Sequence, residues 1–176
     1  MEQTTSTTAS TATLEIFEYS KDSCSYRTVA VQSPAALSQL PATPGSTVRW
    51  LHIYGIFEDT PVIQESGFLE ELGRTFSIHP LVIHNIPDQT LRPKVEEYSN
   101  LLHLIGKLIY YKEGELQFEH INYLLGADYI ITISETRVAL FDPIREHIKK
   151  HRHQSPRAWC RLPVVPVIGF YGRWLF

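Results

Sequence analysis

Between Leu91 and Glu135 the chain alternates apolar runs of strand length with breaks too short to hold a crossover. Leu91-Arg-Pro-Lys-Val-Glu-Glu-Tyr98 comes first, and Leu101 to Tyr111 follows. Leu116 to Leu125 comes after Lys112-Glu-Gly-Glu115, and Tyr129 to Glu135 after Gly126-Ala-Asp128. A parallel connection takes a dozen or more residues, so linkers of this length favour antiparallel neighbours. The runs are rich in Ile, Leu and Tyr, with Gly, Asp and Lys as punctuation. This is a meander that needs cover on at least one face.

The rest of the chain supplies candidates for that cover. Leu14–Tyr19 and Tyr26–Val31 read as two short strands around a polar Ser20–Ser25 turn, with Leu14, Ile16, Val29 and Val31 facing inward by period two. Ser33–Leu40 reads as a short helix, Ser33 capping it and Pro34 in its first turn, ended by Pro41 to Gly45. Val48–Gly55 is a strand with Val48, Trp50 and His52 on one face and Leu51 and Ile53 on the other. Apolar groups on both faces mark a central strand.

Ser66–Phe76 carries Phe68, Leu69, Leu72 and Phe76 at helical spacing, with Glu65, Glu70, Glu71 and Arg74 on the wet side. A second short helix starts near His79-Pro80 and runs through Ile86, where Pro87 stops it. Phe141–Ile148 opens another, with Asp142 as cap and Pro143 at its first position. The fold class that follows is α/β (α+β): a mixed, largely antiparallel sheet layered with helices.

Domain organisation follows from texture. Residues 1–12 are dense in Thr and Ser and lack the cationic start and apolar core of a signal peptide, so they read as a disordered tail. Residues 13–148 form the domain. Residues 149–176 are a divergent tail: Lys149–Gln154 and Arg157–Arg161 are basic without acidic partners, and an apolar end follows. That end, Leu162–Phe176, is interrupted by Pro163, Pro166, Gly169, Gly172 and Arg173. It is shorter than the roughly 20 residues that cross a bilayer. The expectation is a chain with no membrane span, placed in the cytoplasm.

The formal net charge of -3 gives no global case for a nucleic-acid partner. Cys24 and Cys160 match neither a zinc knuckle nor a CxxC pair; two free thiols are the simpler reading and a disulfide between them stays open. No phosphate-binding Gly-rich loop, nucleophile elbow, zincin motif or finger spacing occurs.

His147 and His151 stand one helical turn apart, a spacing that suits two metal ligands, but two ligands do not close a site and His153 falls off that face. They read as solvated histidines, and His52 and His79 as structural ones. Glu96 and Glu97 beside Lys94 are ordinary for a strand with one wet face. No catalytic residue is assigned, and the chain does not read as an enzyme.

Phe76-Ser-Ile-His-Pro-Leu-Val-Ile83, Arg92-Pro-Lys-Val-Glu-Glu-Tyr98 and Phe141-Asp-Pro-Ile-Arg-Glu146 together resemble the N-terminal cytoplasmic domain of CorA-type magnesium and cobalt transporters. There a helix ends in a phrase like F-G-x-H-P-L-x-x-E-D, R-P-K-x-E enters a strand, and F-D-P-[VI]-R-E/D follows the meander. The likeness covers about residues 45–148, with weaker agreement from 13.

The resemblance implies a homopentameric funnel in the cell membrane, its α/β/α domains facing the cytoplasm on long stalk helices. A Gly-Met-Asn loop lines the pore, and divalent ions bound between domains hold the channel closed. On that basis the domain is an ion sensor for Mg²⁺ or Co²⁺, and its partners are further copies or related transporter subunits.

This sequence departs from the pattern in two ways. Its only methionine is Met1, so Gly-Met-Asn is missing, as are the stalk and transmembrane pair. The expectation is a truncated, frame-disrupted or relict form that does not transport alone; the alternative is a stand-alone module associating with related subunits. Secondly, His84-Asn85 stands where the resemblance places the regulatory acidic pair, with Asp88 nearby but not matching. Imidazole is a poor Mg²⁺ ligand and an amide oxygen lacks the charge of a carboxylate.

Limited proteolysis is expected to clip beyond Ile148 and leave a core whose thermal unfolding is unchanged. Unfolding on removal of the tail would instead place Trp159, Val164 and Val165 in the core.

Overall fold

The computed structural model describes residues 12–20, 24–31, 33, 35–38, 40, 47–55, 67–112 and 114–150, without the side chains of Ser38, Lys112 and 147–150. The elements in chain order are β1 (Thr13–Tyr19), β2 (Cys24–Ala30), α1 (Ala35–Ser38), β3 (Val48–Tyr54), α2 (Phe68–Thr75) and α3 (Pro80–Asn85). Then come β4 (Lys94–Glu97), β5 (Leu102–Lys112), β6 (Glu115–Leu125), β7 (Tyr129–Ser134), a 3₁₀ turn (Ala139–Phe141) and α4 (Asp142–Lys150).

The strands form one sheet in the order β2-β1-β3-β7-β6-β5-β4. The expected meander is its right half: β4 to β7 pair as sequential antiparallel neighbours. β1 and β2 form the expected hairpin, with β2 starting at Cys24, two residues before the Tyr26 start read from the sequence. β3 joins the halves, antiparallel to β1 and parallel to β7. That single parallel pair needs the long crossover that the helices and the meander occupy.

Period-two alternation gives each face its own core. Leu14, Ile16, Leu51, Ile53, Leu124, Ile131 and Ile133 meet Phe68, Leu72 and Val82 of α2 and α3 on one side. Phe17, Trp50, Ile121, Tyr123 and Ile130 meet Val138 and Phe141 on the other. Each fully buried side chain of this size stabilises by about 1.5–3 kcal/mol relative to exposure. Trp50 and Leu51 therefore face opposite cores, as the pattern of Val48–Gly55 requires of a central strand.

α1 covers Ala35–Ser38 within the expected Ser33–Leu40, with Ala36 N–H on Ser33 O and Leu40 N–H on Leu37 O, while Pro34 and Gln39 lie outside the described residues. Four residues make barely one turn, for which helix propensity alone is insufficient; buried Leu37 ties it to the core. Asp142 lies inside α4 rather than outside it as a cap. Its carboxylate accepts from Arg137 and Arg145 instead.

α2 ends in a left-handed residue that is not glycine. Ser77 has φ 53°, and Ile78 N–H reaches back to Gly73 O at 2.8 Å, closing the last turn. This is the C-terminal arrangement in which glycine avoids the Cβ penalty. The phrase F-G-x-H-P of the resembled family carries glycine at this place. The left-handed region costs an L-residue about 1–2 kcal/mol. Ser77→Gly is therefore expected to raise stability by about 1 kcal/mol in denaturant titration; a loss of stability would show that the Ser77 side chain makes a compensating contact.

Candidate functional site

The resemblance directs attention to α3 and the loop after it. His79 caps the helix, its Nδ1 accepting from Leu81 N–H at 3.1 Å, and Pro80 takes the position where no donor is needed. Val82 and Ile86 are buried and fix the rotation of this turn. His84 is thereby turned out to solvent, while Asn85 is half-buried. Beside His84 a cleft of about 620 Å³ runs between α2 and α3, lined in part by Glu70, Arg74 and Pro87.

The loop continues with Asp88, whose Oδ1 accepts from Thr90 N–H at 2.9 Å and Thr90 Oγ1 at 2.6 Å. Those hydrogen bonds, with smaller help from His120 and His84, hold its carboxyl below the usual aspartate value. Asp88 is thus ionised at neutral pH.

Three buried polar side chains of the sheet hold this loop from beneath. Asn122 donates from Nδ2 to Ile86 O at 3.3 Å, which fixes its amide and turns Oδ1 toward His103 Nε2 at 2.9 Å. His103 must then carry its proton on Nε2. His120 Nδ1 donates to Gln89 O at 3.2 Å. The sequence reading missed all three. Their signal is a polar residue at an inward position of an apolar strand, as in Leu-Leu-His-Leu-Ile and His-Ile-Asn-Tyr.

A second polar group lies under α4 on the opposite face. Arg145, 1% exposed, donates from Nε to Glu15 Oε2 at 2.8 Å and from Nη1 to Val138 O and Asp142 Oδ1. His52, fully buried, meets the Thr132 hydroxyl at 2.8 Å and packs edge-on to the Phe141 ring. Arg145 ties α4 to β1 through Glu15 and His52 of β3 packs on Phe141, while Arg145 Nη2 and His52 Nε2 are buried without a hydrogen-bond partner among the described residues.

The other sequence candidates are dispersed. Glu96 pairs with Lys94 at 3.0 Å, and Glu97 is exposed. His147 lies within α4, its side chain outside the described residues, as are His151, His153 and Cys160. Among the described residues no group of three or more His, Cys, Asp or Glu side chains is placed to hold a metal. Among those residues, too, no helix is long and apolar enough to cross a membrane.

A seven-stranded mixed sheet with helices on both faces and a polar loop on one of them defines an α/β domain. The family described as CorA-like Mg²⁺ transporter protein matches residues 59–160. The chain belongs to that family. It is similar to the cobalt/magnesium transport protein CorA of Thermotoga maritima, 32% identical over 142 residues that cover 79% of this chain and 37% of the relative. The chain therefore spans little more than a third of that relative's length.

Two solved structures share the fold. The complete CorA magnesium transporter of Methanocaldococcus jannaschii aligns with a TM-score of 0.52 at 14% identity, over 80% of this chain and 37% of that one. The ZntB cytoplasmic domain of Vibrio parahaemolyticus aligns with a TM-score of 0.54 at 16% identity, over 80% of this chain and 51% of that one. Membership of a transporter family accords with a chain that is not an enzyme.

The buried imidazoles make stability depend on pH in a defined window. Burial, reinforced by the charges of Arg145 and Arg137, pushes His52 down to about 3. Burial also lowers His103, against the pull of Asn122 and Glu96. Both folded values lie below the ordinary value of about 6.5. The unfolded chain therefore takes up more protons as pH falls below it, and stability is lost on acidification. His52 alone is expected to cost about 1.7 kcal/mol between pH 6.5 and 5, the slope rising from half of about 1.4 kcal/mol per pH unit at 6.5 to nearly all of it at 5. Urea titrations across that range should show the slope, flattened in His52→Gln and kept in His84→Gln; a slope unchanged by His52→Gln would assign it elsewhere.

Proposed function

We propose that the described residues form the cytosolic ion-responsive domain of a CorA-type divalent cation channel, with its regulatory contact built between copies rather than within one. The observation that supports this is the presentation of α3. His84 stands exposed at its end, with Asn85 and the ionised Asp88 close behind, yet the described residues of one chain assemble no complete metal site. One imidazole and one carboxylate supply at most part of a coordination shell. The remainder must come from water or from another chain. Sensing rather than conduction is the role of this region, at the cytoplasmic face of a cell membrane, with copies of this chain or related transporter subunits as partners.

The ligand set argues for a shifted ion preference. Mg²⁺ is small, demands oxygen ligands and gives up its waters reluctantly. With His84-Asn85 at the positions of the family's acidic pair, most of the charge attraction is gone. Imidazole suits Co²⁺ and Ni²⁺ far better. The Thermotoga relative is named for cobalt as well as magnesium transport, and the preference proposed here falls on cobalt.

Titration calorimetry of the whole chain with MgCl₂ and CoCl₂ tests this. Mg²⁺ is expected to give no saturable heat. Co²⁺ is expected to bind, to lose binding in His84→Ala, and to weaken as pH drops through about 6.5, because the ligand must be neutral. Saturable Mg²⁺ binding that survives His84→Ala and disappears in Asp88→Ala would overturn the reading and move the site to the carboxylate.

A further inference from the structure

On the face that carries Phe141 and α4, the β4–β5 side of the sheet leaves an apolar groove of about 630 Å³. Val95, Leu104, Gly106, Leu108, Tyr123 and Leu140 line it in part. Register sets Val95 opposite Leu104, and alternation puts Gly106 and Leu108 on the same face. Gly106 brings no side chain to fill the middle. β4 begins at Lys94, opposite Ile105, so β5 beyond that point has no outer strand beside it among the described residues. Val95 and Leu140 are left 57% and 44% exposed.

Charge marks the two ends of this groove. Glu97, opposite Leu102, and Glu115, opposite Lys112, are exposed on the same face. The turn Lys112-Glu-Gly-Glu115 is acidic on balance. Leu102 and Lys112 stand ten residues apart on β5, so the two carboxylates bracket about 33 Å at strand rise.

We propose that the groove is the docking site of the chain's own segment Arg161–Arg173. That segment reads Arg161-Leu-Pro-Val-Val-Pro-Val-Ile-Gly-Phe-Tyr-Gly-Arg173, an apolar run bracketed by two cations. It is the complement of an apolar groove bracketed by two carboxylates. The lengths agree as well. Pro163 and Pro166 favour an extended polyproline course, in which the twelve steps from Arg161 to Arg173 span about 37 Å. Prolines three positions apart remove backbone donors from both edges of such a segment. The contact is therefore made through side chains and does not extend the sheet.

The tether is long enough. Arg145 on Glu15 sets α4 over β1, four strands or about 19 Å from β5. The eleven steps from Lys150 to Arg161 reach about 36 Å when extended. α4 and Leu140 lie on one face, so the chain has no sheet edge to round. The docked segment lies above the second core, outside it, and opens before the core unfolds. Clipping it therefore leaves the melting temperature in place. The contact is independent of the proposed ion site, and its test contains no metal.

Methyl NOE spectroscopy of the whole chain, in chelator at pH 7.5, reads the outcome. Cross-peaks from Val164, Val165 and Ile168 to Leu104, Leu108 or Leu140 are expected. They should fall by about threefold or more in Leu140→Asp and in the double variant Arg161→Glu/Arg173→Glu. Combining that double variant with Glu97→Lys/Glu115→Lys should restore them. All these positions are exposed or outside both cores, so an unchanged circular dichroism spectrum is expected throughout. Absence of the cross-peaks overturns the proposal, as do cross-peaks indifferent to these variants or not restored by the charge exchange. Cross-peaks seen only between labelled and unlabelled copies in a mixed sample overturn it too.

Discussion

Among the described residues β3 and β7 are the only parallel neighbours in the sheet, and the remaining architecture depends on their pairing. Trp50, Leu51, His52 and Ile53 lie against Ile130, Ile131, Thr132 and Ile133, so a hairpin from the start of the chain meets a meander from its middle. Parallel strands leave no tight-turn option, and the intervening chain must cross a face of the sheet. α2 and α3 are on that crossover and cover one side. The chain leaves β7 at the opposite face, where Val138, Phe141 and α4 cover the other. Register of this pair also sets Thr132 beneath both the Trp50 indole and the His52 imidazole. A slip of one residue would exchange the two faces and strand these polar groups among leucines.

The buried ion pair between Arg145 and Glu15 follows from the same geometry. β1 lies beside β3, so Glu15 sits opposite His52 under the start of α4. Removing one member of such a pair leaves an uncompensated charge in a low-dielectric site and typically costs about 3–5 kcal/mol. The pair ties α4 to β1, across 130 positions of sequence. Net stability gained from the intact pair is small by comparison, because desolvation of two buried charges offsets much of their attraction.

Local chemistry was legible in the sequence and long-range chemistry was not. The meander announced itself through alternation and through breaks such as Gly126-Ala-Asp128, where a Cβ on Gly126 would stand 2.3 Å from the Tyr129 ring. The inward faces of β1 and β3 followed from period two. The β3–β7 pairing carries no local signal, because the two strands lie on either side of the helices and the rest of the meander. For the same reason Arg145 reads in sequence as one charge on an amphipathic helix, and His103, Asn122 and His120 as odd polar residues in apolar strands. α1 was legible because Ser33, Pro34 and the alanines carry helix signals, and buried Leu37 anchors it. The positions of His84 and Asn85 came from the family phrases alone; nothing in their spacing singles them out.

The support of α3 comes from inside the sheet and does not depend on the side chain the helix presents to solvent. The loop after the helix is held by Asn122 and His120 through the backbone carbonyls of Ile86 and Gln89. Backbone acceptors are indifferent to the side chains at 84 and 85. His84 points to solvent and contributes nothing to either core, so exchange of a carboxylate for an imidazole there leaves the packing of Val82 and Ile86 untouched. The scaffold is fixed from inside the sheet, and His84 is exposed on its outer surface. The residues that hold the turn, Val82 and Ile86, and the one it presents to solvent, His84, are therefore distinct.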